Sequence, residues 1–336
     1  MSSCKLILDD LNRIHSRNDP PEPAELLEDT RATIEVLDNE GEELRPRDTA
    51  GRPGGLLYLD PNVPTIVVPD LHARMELVLA VLAQKDEQEA PTADRLAEGQ
   101  VQLLFLGDGF HAEGRAAARW QAALEEFKGG YRKHSQMDAE MRESLGVMQM
   151  VMALKRGFPN HFHFLKGNHE NITNEQGEGN YPFLKFANEG LMVRIYMEHF
   201  YGEEVLQSYA QLEKSFPLLA VGGNFLASHA EPAWFIPEQE VIEYRRTPQV
   251  IYALTWTDNG ESEPGSVQLM LEHYLGAEAA QSAYHFGGHR PVRDGYNLRS
   301  DGRYVQIHDP DRYVVAALPA GQQIDLDRDI RELTDG

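Results

Sequence analysis

The segment Phe164-Leu165-Lys166-Gly167-Asn168-His169-Glu170 runs from apolar, β-prone residues straight into an amide, an imidazole and a carboxylate. That pattern reads as a buried strand stopping at a turn. In α/β proteins the carboxyl ends of the strands open onto the crevice that takes ligands, so the strand supplies rigidity and the turn displays the reactive groups. Working outward, four other strand-to-turn junctions carry matching groups. Thr65 to Pro69 stops at Asp70-Leu71-His72, and Val101 to Leu106 stops at Gly107-Asp108-Gly109-Phe110-His111. Leu218 to Ala227 reads as a hairpin turning at Gly222-Gly223-Asn224 and ending at Ser228-His229, and Tyr284 to Gly287 ends at Gly288-His289.

The surrounding chain is globular in composition: 336 residues, 41% hydrophobic and 25% charged, enough for a sizeable core. A formal charge of −23 argues against a general nucleic-acid or anionic-membrane binder. It leaves an anionic substrate open, because a bound divalent cation inverts the local electrostatics. The single cysteine, Cys4, forbids an internal disulfide and suits a reducing compartment. Three consecutive apolar residues near the start are too few for a secretory signal, and no run of about 18 apolar residues is present for a transmembrane helix. The expectation is a cytoplasmic protein.

Residues 1–63 read as an N-terminal extension: a short helix, an extended Pro-rich linker through Asp19-Pro20-Pro21-Glu22-Pro23, and a β-hairpin from Thr33 to Leu37 turning at Asp38 to Gly41. Residues 64–320 form the main domain, with a helical insertion at 116–158, and 321–336 an acidic, poorly patterned tail. Helices are expected over Met75 to Leu82, over Ala116 to Arg156 with a break at Gly129-Gly130, and over Phe183 to Tyr201. Tyr304 to His308 and Tyr313 to Leu318 read as strands. The methionines between Met137 and Met152 fit a helix packed on a sheet.

Collected in order, the strand ends offer Asp70, His72, Asp108, Asn168, His169, His229 and His289. Carboxylates and imidazoles with one amide oxygen suit Mn²⁺, Fe, Zn²⁺ or Co²⁺. The set exceeds what one zinc requires, so two adjacent ions are inferred.

The order Asp-x-His, Gly-Asp, Gly-Asn-His-Glu, His, Gly-His resembles the calcineurin-like metallophosphoesterase superfamily, nearest its phosphoprotein (Ser/Thr) phosphatase branch and bacterial relatives, over residues 64–318. The resemblance implies an α/β fold of the α/β/β/α kind, a two-sheet β-sandwich flanked by helices with a dinuclear site at the strand ends. It implies two metal ions, Mn, Fe or Zn. Asp70 and His72 then bind the first ion, Asp108 bridges, Asn168 and His229 hold the second, and His289 completes a site. Two close cations acidify a water to hydroxide near neutral pH, and His169 protonates the leaving group. The implied activity is phosphomonoester hydrolysis on a phosphorylated protein. Dinucleoside polyphosphate or other nucleotide hydrolysis is an alternative within the same class, and a catalytically weak metal-binding scaffold an alternative outside it.

Three departures from the family pattern stand out. Pro69 precedes Asp70 where a Gly is usual. In the second block His111 occupies the spacing of the Asp that orients the catalytic His, with Glu113 and Arg115 two residues late in the order an insertion produces. The expectation is that Glu113 orients His169 and Arg115 grips phosphate, with Arg290 a second substrate contact. Last, Gly288-His289-Arg290-Pro291 lacks a second His, and His308 is left outside the ligand set. His134, His161, His163, His199, His273 and His285 are read as structural.

Overall fold

The computed structural model describes residues 3–86 and 88–333. Its strands are β1 (Leu56–Tyr58), β2 (Thr65–Val68), β3 (Gln102–Phe105), β4 (Phe162–Phe164), β5 (Leu219–Val221), β6 (Phe225–Ser228), β7 (Tyr284–Gly287), β8 (Asn297–Arg299), β9 (Tyr304–Gln306), β10 (Val314–Leu318) and β11 (Ile330–Glu332). They form two sheets, β1-β5-β6-β7-β9-β8 and β11-β10-β2-β3-β4. The expected two-sheet α/β sandwich is the observed one.

Register is what assembles a site from this topology. β2, β3 and β4 run parallel with Val68 opposite Phe105 and Phe105 opposite Phe164, so three strands release their loops along one rim. In the other sheet β6, β7 and β9 are parallel, with Ala227 opposite Phe286 and Phe286 opposite Val305.

The apolar faces of the two sheets meet through Leu57, Val67, Leu104, Leu106, Leu165, Ala227, Phe286, Val305 and Ile307. A Leu→Ala change at a position such as Leu104, fully buried between the sheets, costs about 2–5 kcal/mol. One outer face is covered by helices that include Ser135–Gly157, whose Met141, Leu145, Met148 and Met152 are all buried. The other is covered by Gln249–Thr255 and Ser266–Leu275, through Val250, Leu254, Val267 and Met270.

Three expectations are corrected. No hairpin forms at Thr33 to Leu37: Pro23–Asp38 is one helix, burying Leu26, Thr30, Thr33, Ile34 and Leu37 along a single face. The β-branched residues suggested a strand, but the three- and four-residue spacing won because that face packs on the helices Ser135–Gly157 and Glu203–Ser215. Nor is residue 64 a boundary, since β1 pairs in parallel with β5, Leu56 opposite Leu219. A buried ion cluster locks this region further: Glu40 meets Lys155 at 2.5 Å and Arg45 at 3.0 Å. Finally, the tail is patterned after all. β11 adds antiparallel to β10, with Val314 opposite Glu332. Among the described residues no helix is long and apolar enough to cross a membrane.

Candidate metal centre

The loops leaving β2, β3, β4, β6 and β7 bring Asp70, His72, Asp108, Asn168, His169, His229 and His289 together. Asp70 and His229 are fully buried and His72, Asp108, Asn168 and His169 nearly so. His72, Asp108, His111 and His289 all have positive φ, 43°, 48°, 64° and 64°. Left-handed backbone is costly for residues with a Cβ, and its concentration here means the surrounding packing imposes it. Two glycines allow the close approach. A Cβ on Gly167 would strike the backbone N and the carboxylate of Asp108, and one on Gly288 would strike the Asp70 carboxylate. Gly167 is therefore required for proximity to Asp108.

Asp108 is at the centre. Its Oδ2 lies 3.3 Å from His229 Nε2, 3.6 Å from His169 Nε2 and 3.8 Å from His72 Nε2. On one side Asp70 Oδ2 is 3.7 Å from His72 Nε2. On the other the Asn168 side-chain oxygen is 2.9 Å from both His229 Nε2 and His289 Nδ1. The ring atoms facing the site are set by what the other nitrogens do: His72 Nδ1 donates to the His111 carbonyl at 3.1 Å, and His229 Nδ1 to the Leu106 carbonyl at 2.9 Å.

Electrostatically the site asks for positive charge. Burial opposes a charge on His229, yet Asp108 and Asp70 overcome it and carry the ring up to about 9. Asp108 is held well below its ordinary value against its own burial by His169, His229 and His72. Desolvation lowers His169 and His289. Among the described residues, three donor groups lie close enough to share an ion: Asp70, His72, His308; His72, Asp108, His169; and Asp108, His229, His289. His289 Nε2 and His308 Nδ1 are buried without a hydrogen-bond partner. The orphaned His308 Nδ1, 3.9 Å from Asp70 Oδ2, and the carboxylate, imidazole and amide donors gathered round it fit first-row cations, so the residues present suit a metal centre.

The remaining predicted residues are placed as follows. Glu113 does not orient His169, which corrects the expectation. Its carboxylate sits 3.1 Å from His308 Nε2, 3.5 Å from His72 Nε2 and 2.9 Å from Lys185 Nζ. The group that reaches His169 is His111, Nδ1 to Nδ1 at 3.2 Å. The left-handed turn at His111 throws its ring inward at the spacing where a carboxylate was sought, and carries Glu113 beyond, toward β9. Phe183 packs on both rings, 4.8 Å from His111 and 3.8 Å from His169. Arg115 lies at the edge of a cleft of about 300 Å³ that His72, Glu113 and Lys185 also line. Its guanidinium donates to the Ala73 carbonyl at 3.1 Å and pairs with Glu143 at 2.8 Å. Arg290 pairs with Asp258 at 2.8 Å. A larger cavity of about 1,090 Å³, lined by Arg52, Lys214 and Arg245, includes none of the clustered donors.

Sequence reasoning left two residues unassigned or aside. Glu170 accepts from the backbone N–H groups of Gly167 at 2.6 Å, Asp108 at 3.0 Å and Gly109 at 2.9 Å, tying the second and third loops together. His308, set outside the ligand set, lies fully buried inside the cluster. Its signal was positional: it follows the end of β9, next to β7, as His289 follows β7. His163 is buried with Nε2 on the Asn160 carbonyl at 3.2 Å, away from the donors.

No family model matches the chain, and no curated protein matches it in sequence. Solved structures do match. A protein serine/threonine phosphatase from Saccharomyces cerevisiae, described as similar to human phosphatase PP5, superposes with a TM-score of 0.56 at 16% identity, over 94% of this chain and 91% of that one. A cold-active protein tyrosine phosphatase aligns at 12% identity over 90% and 83% of the two chains with a TM-score of 0.45, too loose a superposition to bear on the argument. The first likeness is one of fold: the chain has a phosphoprotein phosphatase-like sandwich.

Proposed function

We propose that this chain is a metal-dependent phosphoester hydrolase, acting on phosphomonoesters of the kind carried by phosphorylated proteins. The observation that carries the reading is the convergence of two carboxylates, an amide oxygen and three imidazoles from five strand ends around Asp108. Two divalent cations supply, when bound, Lewis-acid charge for phosphate oxygens and a water acidified toward neutrality.

The protein's own contribution then divides among its loops. Asp70 and His72 would hold the first ion and Asn168, His229 and His289 the second, with Asp108 between them. His169 presents Nε2 on the Asp108 side and protonates the departing oxygen. His111 aims that ring, and Phe183 shields both from water. Burial drives His111 down to about 3, so it positions His169 as a neutral ring. Arg115 and Lys185, with the more buried Arg74, are the cations lining the cleft that a phosphate would meet. Mn, Fe or Zn suits the donor set equally. The proposed site of action is the cytoplasm, since the single cysteine, Cys4, suits a reducing compartment.

The test is hydrolysis of p-nitrophenyl phosphate and bis-p-nitrophenyl phosphate by metal-stripped protein resupplied with Mn²⁺, alongside His169→Ala. Mn²⁺-stimulated turnover of the monoester is expected, with the variant impaired far more on an alkyl phosphate than on p-nitrophenyl phosphate, whose leaving group needs little protonation. Absence of turnover of either ester overturns the reading in favour of a scaffold.

A further inference from the structure

His308 is the one imidazole of the cluster that no motif predicted, and its surroundings follow the same plan as the others. Its ring is fully buried. One nitrogen, Nε2, meets the Glu113 carboxylate at 3.1 Å. The other, Nδ1, has no hydrogen-bond partner and faces Asp70, 3.9 Å from Oδ2. A buried polar atom left unpaired is costly, so a ring held this way needs a reason. His72 and His229 each tie one nitrogen to an acceptor and turn the other to the carboxylates, through the His111 and Leu106 carbonyls. In His308 the acceptor is a carboxylate instead, which fixes the tautomer with hydrogen on Nε2 and leaves the Nδ1 lone pair directed at Asp70.

We propose that His308 is a ligand of the ion at Asp70 and His72, and that Glu113 is the carboxylate that orients it. The proposal rests on the metal-dependent reading above. Donors around one ion at about 2.1 Å lie about 3–3.5 Å apart, close to the 3.7 Å and 3.9 Å that separate Asp70 Oδ2 from His72 Nε2 and His308 Nδ1. With Asp108 shared, each ion then has four protein donors: Asp70, His72, His308 and Asp108 on one side, Asn168, His229, His289 and Asp108 on the other. Lys185, 2.9 Å from Glu113 Oε1, balances the carboxylate so that Glu113 serves as an acceptor for His308. The unusual second block thus makes sense: the residue displaced from the catalytic His serves a histidine the fifth block lacks.

Calorimetric titration of metal-stripped protein with Mn²⁺ tests this without reference to turnover. Wild type is expected to bind two ions. His308→Ala and His308→Asn, each checked for native circular dichroism, should keep one ion at wild-type affinity and bind the other about 10–100-fold more weakly. Glu113→Gln, which keeps the shape but not the charge, should weaken the same ion about 10-fold and leave the other unchanged. Two ions bound with unaltered affinities in folded His308 and Glu113 variants overturns the proposal while the phosphoesterase reading stands. Failure of wild type to bind Mn²⁺ at all overturns both.

Discussion

His111 Nδ1 and His169 Nδ1 face each other across 3.2 Å, with Phe183 stacked over the His111 ring. An imidazole therefore stands where a carboxylate stands in the pattern this chain resembles. It sets the direction of His169 without adding negative charge beside it.

Replacing His111 by Phe should leave the fold intact and lower kcat about 10-fold or more for an alkyl phosphate, within the usual range for misplacing a general acid. The loss should be much smaller for p-nitrophenyl phosphate, whose leaving group needs little protonation. Equal losses on both esters would assign His111 a merely structural role. His111→Asp is the complementary change: the new carboxylate favours the charged imidazole, so the alkaline limb of the kcat profile should move to higher pH.

Glu170 is the clasp of the site, since one carboxylate accepts three backbone N–H groups from two loops. Glu170→Ala should lower stability by about 3 kcal/mol or more, as several charge-assisted bonds are lost and buried donors are left unpaired. Thermal melts with and without Mn²⁺ read the effect. A melting temperature within a degree of wild type would contradict it.

Gly167→Ala should remove activity without unfolding the protein. The new Cβ meets the Asp108 carboxylate and backbone N, so Asp108 must shift, and a shift of about 1 Å in a reacting group costs on the order of 10²-fold. Full activity in this variant would mean that the second and third loops are not in contact during catalysis.

Stability should depend on acid through Glu40. Burial alone would raise this carboxyl, but Lys155 and Arg45 overcome it and hold it below its usual 4.5. Its stabilisation is thus complete above that value and fades as pH falls through the lower folded-state value. Glu40→Gln strands two buried cations and should cost about 3–5 kcal/mol in denaturant melts at pH 7, with the gap to wild type narrowing below pH 4. A gap that is constant with pH would contradict the assignment.

How much of this could be read in advance depended on how each residue is marked. The candidate donors after β2, β3, β4, β6 and β7 stand at abrupt junctions between apolar runs and Asp, Asn, Gly or His, so local pattern located them. His308 follows an equally apolar run but no glycine, and only the pairing of β9 with β7 brings it to the rim. Glu113 was misassigned because sequence spacing ignores the left-handed turn at His111. The helix at Pro23–Asp38 was misread because Thr33 and Ile34 favour strands in isolation, and the buried face that overrides them belongs to distant helices. The last strand, Ile330–Glu332, is half exposed and charged, with no alternation to betray it.

The most direct test of the account follows phosphomonoester turnover at each step of a Mn²⁺ titration of stripped protein, for wild type and Asp108→Asn, with circular dichroism establishing that both are folded. Turnover that rises with ion occupancy in wild type and stays absent in the variant is predicted. Wild-type turnover that is missing at saturating Mn²⁺, or that proceeds unchanged without metal, would contradict it.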